Sequence, residues 1–229
     1  MKRMFIVIIA LVTLAVAAPN SQALTMHGPG AARHSAWAQA ASVNVPLADA
    51  NITIVEGRNL LPVYYADDHE VDLPQPGYGG WTYFSEHGLF LHELGHVFDF
   101  ANLTPALRNR FRALAQTSCA WWAEHCHTAR WISGPGVYVD VPPGEMFAEM
   151  YASCALGLTQ GEYENAGYNS YGWMPPQGVN DADFCSLIRE GATSPLRPAS
   201  PAPDRGRTQL LHWNCRFGSG QWICPERHP

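Results

Sequence analysis

Between Phe90 and Phe100 the chain reads FLHELGHVFDF, an apolar run interrupted by His92, Glu93, His96 and Asp99. Residues four apart on an α-helix lie one turn above each other on the same face, so His92 and His96 can reach a single metal ion. Glu93 follows the first histidine directly, where it can stay off the metal and take a proton from water bound to it. Leu89, Phe90, Leu94, Val97 and Phe98 can bury the helix while the histidines face a cleft. The spacing therefore predicts metal-assisted hydrolysis.

Two histidines leave a catalytic zinc site one protein ligand short. The metzincin-type extension would need glycine at position 99 and histidine at position 102; Asp99 and Asn102 stand there, which excludes that subclass. The missing ligand is then a carboxylate from elsewhere, and GEMFAEMYA offers Glu145 and Glu149, which at i and i+4 share one face of a second predicted helix. One of them can bind the metal while the other orients a histidine. Alone, such a pair reads as a solvated acidic face; beside the histidine motif it reads as the closing carboxylate. Asp99, three residues after His96, is expected to bond a ligand histidine and fix its tautomer, and is also a conceivable ligand in place of Glu145.

HELGHVFD followed by GEMFAEMY resembles the catalytic domain of the anthrax lethal factor type, among the zinc metallopeptidases called gluzincins. The resemblance spans roughly Trp81 to Ala155, about one third of the chain. It implies zinc bound by His92, His96 and Glu145, with Glu93 as general base. It further implies a supporting tyrosine seven residues before the third ligand, which here is Tyr138. A phenol there would donate a hydrogen bond to the oxyanion formed when water attacks a peptide carbonyl. Nothing outside the two motifs matches lethal factor, so its substrates are not implied.

The elements that must position these groups are legible in part. Asn51 to Val55 and Pro62 to Pro74 read as strands, the second with an Asp-Asp turn, and HEVDLP as an edge available to an extended substrate. The motif helix is expected from about Thr82 to Ala101 with Ser85 as N-cap, and Thr104-Pro105 opens another helix. The glutamate helix ends at a glycine. Residues 24 to about 45 lack periodicity and read as a loose lead-in.

The N-terminus, MKRMFIVIIALVTLAVAAPNSQA, reads as a secretory leader: a basic start, an apolar stretch shorter than a membrane span, then small residues. The expected organisation is a leader over 1–23, a metallopeptidase domain over 24–194, a proline-rich linker over 195–207 and a small hairpin over 208–229. Six cysteines suit three disulfides; short separations favour Cys119–Cys126 and Cys215–Cys224, which leaves Cys154 with Cys185. The formal charge is −6, and loss of Lys2 and Arg3 with the leader would make it about −8. Nucleic acid and anionic membranes are therefore poor partners. The resulting expectation is a secreted, monomeric, disulfide-stabilised α+β protein of zincin-like fold, a small twisted sheet packed on the H-E-x-x-H helix and a second glutamate-bearing helix, acting on peptide or protein. A zincin-fold binding protein without turnover, and a zinc amidase acting on cell-wall peptides, are the alternatives.

Overall fold

The segment expected to be loose is ordered. Thr25–His27 forms strand β1 and Ala31–Ala41 forms helix α1. The buried face of α1 consists of His34, Ala38 and Ala41, spaced four and three residues apart. A face of alanines and one histidine carries too little hydrophobic contrast to reveal its period. The computed structural model describes residues 24–58, 62–74, 86–123, 126, 141–168 and 173–191, together with the backbone of 130–131, 138–139, 216–218 and 221–223.

In β2 (Asn51–Glu56) alternation turns Ile52 and Ile54 inward and Asn51 and Thr53 outward. β3 (Val63–Tyr65) and β4 (Glu70–Leu73) form the antiparallel hairpin predicted around Asp67 and Asp68. The sheet order is β1-β2-β4-β3, with β2 parallel to both β1 and β4. This corrects the expectation that HEVDLP forms an edge: β2 occupies the side of β4 that an isolated hairpin would leave open, so the edges are β1 and β3.

Helix α2 (Glu86–Asn102) is buried without interruption from Gly88 to Asp99. It is a core helix, not an amphipathic surface one, so every polar residue along that stretch must find a partner inside the protein. In α3 (Pro105–Leu114) the Thr104 side chain accepts from the Leu107 N–H at 3.2 Å, and Pro105 sits in the first turn, as the sequence predicts. A short antiparallel pair, β5 (Arg130–Trp131) and β6 (Tyr138–Val139), precedes α4 (Pro143–Leu156). That helix ends at Gly157, whose φ of 69° is the left-handed C-cap for which glycine is suited. Two further helices follow, α5 (Gln160–Asn165), opened by a Thr159–Glu162 capping box, and α6 (Asp181–Gly191). β7 (Arg216–Gly218) and β8 (Gln221–Ile223) pair as a hairpin.

Helices α2 and α4 lie against each other at the centre of one continuous core. Gly95 permits this approach, since a Cβ there would lie 2.9 Å from the Ala148 Cα. Cys154–Cys185 ties α4 to α6, and Cys119–Cys126 closes the loop beyond α3, two of the pairings the sequence favours. The third, Cys215–Cys224, lies outside the described residues, as do the leader and the linker. The chain is thus mixed α+β, with a small four-stranded sheet, six helices and two disulfides among the described residues. Disulfides of this kind fit an oxidising, extracytoplasmic compartment. No described helix is long and apolar enough to cross a membrane.

Candidate metal centre

The contact between α2 and α4 brings four of the predicted residues together. His92 and His96 project from successive turns of α2, their rings 4.8 Å apart at 85°. Across the interface, Glu145 Oε2 lies 3.0 Å from His92 Nε2 and 3.3 Å from His96 Nε2, and the two Nε2 atoms are 3.2 Å apart. Ligands about 2.1 Å from a tetrahedral dication stand about 3.4 Å from one another. Three buried donor atoms separated by 3.0 to 3.3 Å fit such an ion with little rearrangement. Two imidazoles and a carboxylate are also a suitable donor set for a transition metal. The cluster can hold a metal ion.

Glu149, one turn beyond Glu145, lies on the other side of His92, with Oε1 3.4 Å from Nδ1. A carboxylate in that position favours a proton on Nδ1 and leaves Nε2 to face Glu145 and His96. The electrostatics favour positive charge. Burial pulls His92 down, but Glu145 and Glu149 raise it well above the ordinary imidazole range. Burial likewise opposes His96, and Glu145 raises it. The Glu145 carboxyl is pushed up by burial but held far below the usual carboxylate range by the charge and hydrogen bonding of the two histidines. A field that favours a proton at this point also favours a metal cation.

Glu93 is 2 % exposed and stays out of the triad. The Tyr64 backbone on edge strand β3 interacts with its carboxylate without completing a hydrogen bond, and Oε2 makes none among the described residues. Burial raises this carboxyl, with the charges of His96 and His92 opposing. A buried carboxylate with an oxygen that bonds to none of the described residues is suited to exchanging a proton.

Asp99 differs from expectation. Its Oδ1 accepts from Arg108 Nε at 2.8 Å and its Oδ2 from Trp121 Nε1 at 2.7 Å, while His96 Nδ1 makes no hydrogen bond among the described residues. The carboxylate therefore pins the end of α2 to α3 and to the disulfide-closed loop; it orients no histidine. Removing one partner of a buried ion pair is costly, and Asp99 is fully buried while the Arg108 side chain is 27 % exposed. Asp99→Ala should lose about 3 kcal/mol in urea unfolding, at the low end for a buried pair, and retain metal. Unchanged stability with lost metal would return Asp99 to the histidines.

The loop after α3 also supplies residues that the motifs did not reveal. Trp122 packs 5.6 Å from the His96 ring and stacks on Phe100 at 5.8 Å, and the Trp121 carbonyl accepts from the Gly144 N–H at the start of α4. The adjacent tryptophans inside a short cysteine loop were the only sequence signal of this wall. For Tyr138 only the backbone, in β6, is described; where its phenol points lies outside the described residues.

Comparison with known proteins adds no relative: no family model, no curated protein and no solved structure matches the chain.

Proposed function

We propose that this protein is a secreted zinc-dependent metallopeptidase with a gluzincin-type site. The observation that carries the reading is the buried His92, His96 and Glu145 triad with Glu93 beside it, one oxygen open. Zinc bound there supplies a Lewis acid that acidifies water and polarises a carbonyl.

The chain's own residues perform the remaining work. His92 and His96 present Nε2, Glu145 presents Oε2, and Glu149 holds the His92 ring from behind. Glu93 Oε2 takes the proton of the attacking water and returns it to the leaving amine. Edge strand β3, which carries Tyr64, can pair with an extended peptide and bring its backbone to Glu93. Tyr138 is proposed, from the family resemblance, as the oxyanion donor. Burial of His92, Glu93, His96, Glu145 and Glu149 keeps their interactions in a low dielectric, where they are strongest.

The test is hydrolysis of casein and of peptidoglycan fragments by the purified mature chain, before and after metal removal with a chelator and after zinc is restored. Chelator-sensitive casein cleavage supports the peptidase. Cleavage of peptidoglycan fragments alone would move the same chemistry to a cell-wall amidase. Zinc retained without turnover on either substrate would favour a binding protein.

A further inference from the structure

A third buried histidine stands near the start of α2. His34, on α1, is completely inaccessible and lies between the rings of Trp37 at 5.3 Å and Phe90 at 4.7 Å. Its Nε2 is directed at Oε1 of Glu86, the first residue of α2, 3.6 Å away. That is too far for a hydrogen bond. Neither ring nitrogen has a hydrogen-bond partner among the described residues; the Gly30 carbonyl, one turn back, interacts with the ring without completing one. Glu56, at the end of β2, joins the group, and one ligand atom from each of His34, Glu56 and Glu86 lies within 4.8 Å of the others.

A buried imidazole with unused nitrogens beside two carboxylates is a costly arrangement unless a cation lies among them. At present the cation is Arg33, whose Nη2 is 3.1 Å from Glu56 Oε1 and also bonds Glu86 Oε1. Arg33 satisfies the carboxylates but has no acceptor to offer a histidine N–H, and it donates to neither ring nitrogen of His34. Its side chain is 41 % exposed, so it can turn outward into solvent. An imidazole nitrogen and two carboxylate oxygens form a donor set that suits zinc and its neighbours better than calcium or magnesium, which favour oxygen alone.

We propose that His34, Glu56 and Glu86 form a second divalent-metal site, for zinc or a similar transition-metal ion, which the ion enters by displacing the Arg33 guanidinium from between the two carboxylates. The site joins three elements, α1, the end of β2 and the first turn of α2. An ion there fixes the start of the helix that carries His92 six residues later. Its role is structural, distinct from the cluster between α2 and α4.

Zinc content after dialysis and Co²⁺ titration followed by visible absorption, both on the full mature chain, test this. Two equivalents are expected in the wild type. Glu86→Gln, which alters a partly exposed side chain, and His34→Gln should each remove one, and Glu145→Ala should remove only the other. Arg33→Ala should tighten the second site roughly tenfold by removing the competing charge. Near-UV circular dichroism shows whether the His34 variant is folded, and the Glu86 variant gives an answer if it is not. A wild-type chain with no equivalent that depends on Glu86 overturns the proposal, whatever Arg33→Ala does. A single equivalent lost in Glu86→Gln and kept in Glu145→Ala would leave this site standing and remove the proposed catalytic one.

Discussion

Glu93→Gln is expected to bind metal as the wild type does and to lose about 10²- to 10⁴-fold in kcat toward peptide bonds. Glutamine preserves the size of a side chain that is 2 % exposed. It cannot accept a proton at the position of Oε2, the oxygen that lacks a partner among the described residues. The change should therefore fall on kcat with KM little altered, because the lost interaction belongs to the transition state. Steady-state kinetics on a fluorogenic peptide, with metal content measured on the same preparation, checks both halves. Retained turnover would show that Glu93 is not the base, and the peptidase mechanism would have to be abandoned.

The second large effect separates the two glutamates of α4. Glu145→Ala should leave the chain unable to retain an ion between α2 and α4, since the two histidine nitrogens would remain without the oxygen that now lies 3.0 and 3.3 Å from them. Glu149→Ala removes only the group behind His92, at 3.4 Å from Nδ1, and should weaken binding about 10- to 100-fold without abolishing it. Competition with a chelator of graded strength distinguishes the two. The reverse order, with metal lost in Glu149→Ala and kept in Glu145→Ala, would exchange their roles. Wild-type retention in both would mean that neither glutamate of α4 is a ligand.

Much of this site was written in local spacing. A step of four positions from His92 to His96, and another from Glu145 to Glu149, places each pair on one helical face wherever the helices lie, because helix geometry is a property of the chain itself. The caps at Thr104 and Gly157, the Asp67-Asp68 hairpin and the short-range Cys119–Cys126 pair were readable for the same reason. Each depends on neighbours in sequence.

What depended on distant neighbours was not legible. That Glu145 Oε2 meets both Nε2 atoms follows from the close approach of α2 and α4 at Gly95 and Ala148, a fact of packing that no periodicity encodes. The interior place of β4 was decided by β2 pairing beside it. Asp99 shared a helical face with the histidines, yet Arg108 and Trp121 claimed it, because a fully buried carboxylate takes the donors that folding brings nearest. His34, Glu56 and Glu86, separated by 22 and 30 positions and matching no motif, became a cluster only when α1, β2 and α2 converged. The sequence by itself determined which side chains could share a helical face; the tertiary structure decided which faces met, since donor atoms must lie within about 3 to 4 Å to bind one ion and only the packed core sets distances that short.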